Sequence, residues 1–147
     1  MHKHILLAVD GTTLSRKAVR ESFDLARATG ARVTAFHATP EYESLHYGEY
    51  FPMDRMTRED FEERARAHAG KLLAAVTRAA EAAGVTCGVH VAPSRTVWEG
   101  IVEAARRKRC DLIVMASHGR RGIAGVLLGS ETSRVLTHSR VPVLVCR

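Results

Sequence analysis

The sequence predicts an α/β fold, a single doubly wound domain whose five-stranded parallel sheet carries helices on both faces. The length of 147 residues fits one domain, because globular domains cluster near about 100 to 150 residues. Short apolar runs alternate along the chain with longer segments in which apolar residues recur every three or four positions. Strict alternation of strands and helices favours parallel strands joined by right-handed helical crossovers.

The first strand, the first helix and the second strand have the clearest patterns. Residues 4–9 form a continuous apolar run, which is typical of a strand buried on both faces. The run ends at residues 10–13 (Asp-Gly-Thr-Thr), a turn and helix-cap cluster that opens a helix over residues 14–29. Gly30 follows that helix where a C-terminal glycine cap belongs, and residues 32–38 supply the second strand.

The next segment, residues 39–54, has neither helical nor strand periodicity and is expected to be a long connection. It holds four aromatic residues, Tyr42, Tyr47, Tyr50 and Phe51. Two interpretations stay open. The segment could be a lid that stacks over a bound base, or it could pack against the next helix or a partner subunit, which we favour.

A long helix and a third strand follow this connection. Apolar and small residues keep helical spacing from Phe61 to Ala83, so the helix is expected to begin near Met56 and to end at Gly84. Residues 85–91 are predicted to form the third strand.

The third helix is expected to open at Pro93 and Ser94. Thr96 and Glu99 stand in the S/T-x-x-E relation of a capping box. The basic run of residues 106–109 closes the last turn, where cations face the negative end of the helix dipole. The buried stripe of this helix is expected to consist of Val97, Ile101 and Ala104.

The rest of the chain completes the alternation. We expect a buried strand over residues 111–116, a glycine-punctuated loop over residues 119–129, a short helix over Ser130–His138 and a last strand from Val141 to Cys146.

Composition and charge exclude several classes of protein. The apolar runs fall far short of the roughly 18 to 20 residues that span a bilayer, and the N-terminus lacks a signal-peptide pattern, so we expect a cytoplasmic protein with no membrane partner. The net charge is +6, but its one concentrated run, residues 106–109, has no interleaved aromatic residues, which argues against nucleic-acid binding. The three cysteines, Cys87, Cys110 and Cys146, are odd in number and far apart, so we expect small apolar residues rather than a disulfide or zinc site.

The loop between Ala116 and Ser130 has the features of an anion site. It follows a buried strand, it is rich in glycine, and it ends in Gly129-Ser130 at a predicted helix start. Glycine lets the backbone approach a phosphate, and the first N–H groups of a helix attract negative charge. Gly-Ser before a helix is also an ordinary cap, so both interpretations stay open.

Asp10 ends the first strand at the same edge of the sheet. Ligands of doubly wound domains bind beyond the carboxyl ends of the strands, where the strand order reverses. A carboxylate there could hold a ribose hydroxyl or a metal ion that bridges phosphates, or it could cap the helix that begins at Thr12 and Thr13. These roles are compatible.

The sequence resembles the universal stress protein family over essentially the whole chain. The resemblance is carried by residues 5–12 and 36–38, by residues 112–122, and by residues 127–130 leading to residues 141–145. The nucleotide-binding branch of that family carries the motif G-x2-G-x9-G-[ST]. In this chain Gly119, Gly129 and Ser130 match the motif, and Ala116 stands at its first glycine.

The resemblance implies a Rossmann-like sheet in the order 3-2-1-4-5 and a homodimer formed through the C-terminal strand, from Val141 to Cys146. It also implies that ATP, with Mg²⁺, is bound as a regulatory ligand in a stress response. The residues that it assigns to ATP binding are Asp10, Ala38, Met115, Ala116, Gly119, Gly129, Ser130, Glu131 and Thr132. Arg120 and Arg121 are candidates for phosphate contact, and Mg²⁺ would be held through the phosphates, with Asp10 as a candidate ligand.

No catalytic residue is assigned. The sequence lacks a P-loop, a G-x-G-x-x-G after the first strand, the H-x-G-H of nucleotidylyl transferases and the S-G-G-x-D-S of pyrophosphatase-type ligases. We therefore expect at most slow ATP hydrolysis. The alternative is a nucleotide-free dimeric protein that acts in interaction or signalling, and Ala116 keeps that alternative open.

Overall fold

The computed structural model describes residues 1–43, 56–118 and 128–147. Strands and helices alternate from end to end through the described chain. In chain order the elements are β1 (His4–Ala8), α1 (Thr13–Thr29), β2 (Arg32–Pro40), α2 (Arg58–Ala83), β3 (Cys87–Ser94), α3 (Val97–Lys108), β4 (Leu112–Ala116), α4 (Ser130–His138) and β5 (Val143–Cys146).

The five strands form one parallel sheet in the order β3-β2-β1-β4-β5. Leu6 of β1 lies opposite Thr34 of β2 on one side and Ile113 of β4 on the other, so β1 is the central strand. The fold class and the strand order expected from the sequence are both confirmed.

Two apolar layers cover the sheet. On one face α1 and α2 bury Ile5 and Leu7 of β1 together with Val114 of β4. On the other face α3 and α4 bury Leu6 and Phe36. Because alternate residues of β1 face opposite layers, its continuous apolar run is what a strand covered on both faces requires.

The first two helices begin and end close to where the spacing predicts. The caps of α1 and α2 are Gly30 and Gly84, both left-handed with φ of 73° and 68°. Gly11, in the turn after β1, has φ of +80°, and a Cβ there would lie 2.9 Å from Leu72 Cδ1 of α2. This turn therefore needs glycine for its backbone conformation and for the close approach of α2.

The prediction for the region around β3 is wrong in its boundaries. Pro93 and Ser94 end β3 instead of opening α3, and β2 continues to Pro40 to pair with Ser94. β3 is an edge strand, where a proline without an N–H is tolerated. Val97 is 47% exposed and does not belong to the buried stripe of α3.

The last strand begins at Val143, two residues later than expected. Cys110 and Cys146 are buried and Cys87 is half-buried, and all three are free thiols. Among the helices of the described residues, none is long and apolar enough to cross a membrane.

Candidate functional site

The strand order reverses between β1 and β4. The chain goes from β1 to β2 and β3 on one side, and then crosses to β4 and β5 on the other. A crevice for a ligand is expected outside the carboxyl ends of these two central strands. We call this place the switch point of the sheet. Asp10 follows β1 at this edge, Ser117 and His118 follow β4, and α4 begins at Ser130. The fold thus brings the two predicted site segments, around Asp10 and around Gly129, to one edge.

Asp10 organises the start of α1. Its Oδ1 atom accepts hydrogen bonds from the Thr12 backbone N–H (2.9 Å) and the Thr12 hydroxyl (2.7 Å). The Thr12 Oγ1 atom in turn accepts from the Ser15 N–H at 3.1 Å and caps the helix. Within the described chain, Asp10 Oδ2 accepts no hydrogen bond, so one carboxylate oxygen supports the cap while the other is available to a ligand.

The beginning of α4 is attached to the end of β4. The Gly129 N–H donates to the Ser117 carbonyl at 2.7 Å. The Thr132 hydroxyl donates to the carbonyls of Ala116 and Ser117, both at 3.1 Å. Ser117 itself donates its N–H to the carbonyl of Cys146 in β5 at 2.7 Å. These bonds hold the first turn of α4 at the carboxyl edge of the sheet.

Gly129 is the N-cap of α4, and it has no side chain to satisfy the helix N–H groups. The first backbone bond of the helix runs from the Ser133 N–H to the Gly129 carbonyl at 3.0 Å. The N–H groups of Ser130, Glu131 and Thr132 precede that bond and donate to no group in the described chain. A Cβ at position 129 would lie 3.1 Å from the Ser117 carbonyl oxygen. Glycine therefore permits both the close packing and an open, anion-attracting helix end.

The side chains of this first turn have different surroundings. Ser130 is exposed, and its hydroxyl is free to contact a ligand. Thr132 is 2% exposed and donates its hydroxyl to the backbone of the sheet. The Glu131 carboxylate accepts a hydrogen bond from the Trp98 N–H at 2.6 Å. For Glu131 and Thr132, the groups that a phosphate could reach are therefore the backbone N–H groups.

The remaining described candidates lie on the strands. Ala38 is half-buried on β2, opposite Ala92, while Met115 and Ala116 are buried at the end of β4. Among the described residues other than glycine, only Arg109 has a positive φ. The backbone at Ala116 is therefore one that alanine adopts without strain, and a glycine is not needed there.

Several predicted residues fall outside the described chain. Gly119, Arg120 and Arg121 lie in the segment 119–127, and Tyr47, Tyr50 and Phe51 lie in the segment 44–55. The fourth aromatic residue, Tyr42, packs against α2, with its ring 5.7 Å from that of Phe61. For Tyr42 the structure favours packing against the helix.

The structure adds His37 to this edge, a residue to which the sequence analysis gave no role. His37 of β2 lies within hydrogen-bond distance of the Val9 carbonyl, with 2.8 Å between Nδ1 and the oxygen, and its ring is 5.9 Å from the ring of His68 on α2. The Ser117 hydroxyl lies 3.1 Å from His118 Nδ1. His37 lies one residue before the predicted end of the second strand, and that position was the one available signal.

A depression also lies beside β3, at one edge of the sheet. It is a groove of about 250 Å³ between β3 and α3, lined in part by His90, Arg95 and Arg107. Burial lowers the pKa of His90 from its ordinary value, and the nearby charges of Lys108 and Arg107 lower it further. This groove is separated from the switch point by β2.

Comparison with known proteins shows the family of the chain. The model of the universal stress protein family matches residues 1–147. The chain belongs to the universal stress protein family. The universal stress protein encoded in the QAH/OAS sulfhydrylase 3′ region of Thermus aquaticus is 34% identical over 150 residues, which cover 100% of both chains. The family resemblance seen in the sequence is thereby confirmed.

Some members of the family are longer than this chain. A universal stress protein of Mycolicibacterium smegmatis is 34% identical over 143 residues, which are 97% of this chain and 45% of that protein. This chain thus spans about half the length of that relative. The solved structure of UspA from Lactobacillus plantarum has the same fold, with a TM-score of 0.79 at 22% identity over 99% of this chain and 97% of that one.

Three further structures of the same fold carry adenine nucleotides. A universal stress protein in complex with cAMP has a TM-score of 0.73 at 24% identity, covering 99% of this chain and 97% of that one. The Archaeoglobus fulgidus protein with dAMP has a TM-score of 0.69 at 19% identity, covering 100% and 98%. The Arabidopsis thaliana protein with AMP bound has a TM-score of 0.68 at 18% identity, covering 98% and 90%.

Proposed function

We propose that this universal stress protein binds ATP with Mg²⁺ at the switch point of its sheet and uses it as a regulatory ligand. The open N-terminus of α4 is the observation that carries the proposal. Its first-turn N–H groups have no side-chain cap, and hydrogen bonds to the end of β4 hold them at the edge where α/β domains bind ligands.

The phosphates would lie against the backbone of residues 129–132, where N–H groups and the helix dipole favour negative charge. Asp10 Oδ2 would face the ribose or a Mg²⁺ ion bound to the phosphates, because carboxylate oxygens suit that hard cation. The adenine would lie near the backbone of Ala38 and of Met115–Ala116. The relatives with cAMP, dAMP and AMP support an adenine nucleotide as the ligand class.

Regulation by binding suits this site better than rapid turnover does. The chain has no P-loop lysine to neutralise the β- and γ-phosphates. Slow hydrolysis would be the upper limit of its chemistry. A ligand that binds only the folded state stabilises it, so occupancy could set the conformation that a partner recognises.

The second candidate is a nucleotide-free interaction protein that acts as a homodimer through its last strand. Leu144 is 40% exposed on β5, and β5 is an edge of the sheet. An apolar residue on an edge strand favours pairing with another strand. The same surface would also serve a dimer of the ATP-binding form.

The deciding experiment is a calorimetric titration of nucleotide-free protein with ATP and Mg²⁺, preceded by chromatography of any nucleotide released on denaturation. Gly129→Val is the test variant, because its side chain would meet the Ser117 carbonyl. Gly70→Val is the matched control, since a Cβ at position 70 meets nothing within 4 Å.

We expect micromolar or tighter binding in the wild type and in Gly70→Val, and its loss in Gly129→Val. No released nucleotide and no binding heat at several temperatures, from protein shown to be folded, would overturn the ATP proposal and favour the nucleotide-free candidate.

A further inference from the structure

Trp98, near the start of α3, is contacted by both ends of α4. Its backbone N–H donates to the Glu131 carboxylate in the first turn of α4, with 2.6 Å between N and Oε2. Its indole ring lies 4.3 Å from the imidazole of His138, the last residue of α4, with 31° between the ring planes. We call the Glu131–Trp98–His138 contact the α3–α4 clasp.

Glu131 replaces a cap that α3 does not supply itself. Thr96 is the N-cap of α3, but its side chain makes no cap hydrogen bond. The Glu131 carboxylate accepts from Trp98, the second residue of that helix, across 33 positions of sequence. A carboxylate at this place lies near the positive ends of two helix dipoles, that of α3 and that of its own helix.

The clasp completes the attachment of α4. One flank of its first turn is bound to β4 through Gly129 and Thr132, and Val135 in its middle is fully buried. The other flank meets α3 through Glu131. Without the bond to Trp98, the first turn would keep its attachment to the sheet but lose the one that sets its position relative to α3.

We propose that the Glu131 carboxylate positions the nucleotide site: this carboxylate does not contact the ligand, and by binding Trp98 it orients the open N-terminus of α4, whose backbone N–H groups face the phosphates. This inference rests on the proposed function. It separates two uses of one carboxylate, because a direct ligand would depend on the charge of Glu131, whereas the clasp depends on its length and on an acceptor oxygen.

Two substitutions distinguish these uses. Glu131→Gln keeps the length and an acceptor oxygen but removes the charge. Glu131→Asp keeps the charge but shortens the side chain by one methylene, so that it no longer reaches Trp98. Glu99→Ala is the matched control, because it removes an exposed carboxylate from the first turn of α3.

The experiment combines calorimetric titration with ATP and Mg²⁺ and the fluorescence of Trp98, the only tryptophan of the chain. We expect Glu131→Gln and Glu99→Ala to bind within about threefold of the wild type, and Glu131→Asp to bind about tenfold more weakly. In nucleotide-free protein, Glu131→Asp should also change the emission maximum of Trp98 and its quenching by acrylamide, while Glu131→Gln should not.

The opposite ranking would overturn the proposal. If Glu131→Asp binds like the wild type and Glu131→Gln loses affinity, the carboxylate is a direct ligand, of Mg²⁺ for example. Unchanged affinity and unchanged Trp98 emission in Glu131→Asp would show that the clasp positions nothing. If the wild type binds no ATP, the proposed function fails and the positioning of nucleotide fails with it, while the emission of Glu131→Asp still shows whether the clasp exists.

Discussion

The helices α1 and α4 begin on opposite sides of the switch point, and their first backbone N–H groups are treated in opposite ways. At the start of α1, Asp10 and Thr12 use their side chains to satisfy the local N–H groups, including that of Ser15. At the start of α4, Gly129 offers no side chain, and the first N–H groups remain open. One helix end is satisfied by its own sequence and the other is suited to an anion from outside.

The start of α3 shows a third solution. Its own Thr96 makes no cap bond, and Glu131 of α4 supplies the acceptor instead. The comparison teaches that the residue type at an N-cap does not by itself decide whether a helix end is free. A side chain from another element can supply the acceptor that the local N-cap residue does not.

The largest effect is expected when α4 is given a side-chain cap like that of α1. In Gly129→Asp the carboxylate would accept the first-turn N–H groups and repel the phosphates, so ATP affinity should fall by at least about 100-fold. Calorimetric titration measures it, with Gly70→Asp as the control for an exposed helical site. If Gly129→Asp binds ATP within threefold of the wild type, the claim that the open N-terminus of α4 receives the phosphates is contradicted.

The turn before α1 is the next test. Gly11→Ala should lower the free energy of unfolding by about 2 kcal/mol, because the left-handed backbone strains alanine and its Cβ meets Leu72. Gly30→Ala has a similar φ but nothing within 4 Å, so it should cost about 1 kcal/mol. Urea unfolding of the two variants gives the values. Equal losses would show that the approach of α2 does not depend on Gly11.

A smaller effect is expected at the caps themselves. Thr12→Ala removes the acceptor of the Ser15 N–H and should lower the free energy of unfolding by about 1 kcal/mol. Thr96→Ala should change it by less than about 0.5 kcal/mol, because Thr96 makes no cap bond. Chemical denaturation of both variants measures this difference, and a Thr96→Ala loss as large as that of Thr12→Ala would mean that α3 is capped locally after all.

The smallest effect concerns the opposite edge of the sheet, where His4 is buried beside Thr34, with 2.8 Å between His4 Nε2 and Thr34 Oγ1. Burial, and then the charge of Arg32, lower the pKa of His4 below its ordinary value of 6.5. The unfolded chain therefore takes up this proton at a higher pH than the folded chain does. The contribution of neutral His4 to the free energy of unfolding is fully present above about pH 6.5, and it declines as the pH falls below that value.

Urea unfolding of the wild type and of His4→Gln at about pH 7.5 and about pH 5.5 measures this contribution. The wild type should lose more stability between the two values than His4→Gln does. Equal losses would show that burial of His4 does not oppose its protonation.

The sequence predicts well the elements whose apolar pattern matches how they are buried in the fold. β1 is central and covered on both faces, so its apolar run is continuous, and the bounds of α4 agree with the predicted Ser130–His138. β3 is an edge strand on which even Val89 is 53% exposed, so its apolar residues do not mark a buried strand clearly. Pro93 then resembles a break, although an edge strand accepts it.

The candidate site divides in the same way. Asp10 is predicted from a strand end followed by turn residues, and Gly129 from a Gly-Ser pair at a helix start, and both are local patterns. The bond between Glu131 and Trp98 joins residues 33 positions apart, and no local pattern indicates which carboxylate meets which helix end. The assignment of the individual residues to ATP stays a prediction.

The central claim is that the open N-terminus of α4 receives the phosphates. The most direct test follows the backbone amide signals of ¹⁵N-labelled, nucleotide-free protein by NMR while ATP and Mg²⁺ are added. The account predicts saturable shifts that are largest at Ser130, Glu131 and Thr132, with small shifts at Arg95 and Gly100 in the β3–α3 groove. Saturable binding that leaves the three α4 amides unshifted, or that shifts the groove residues most, would contradict it.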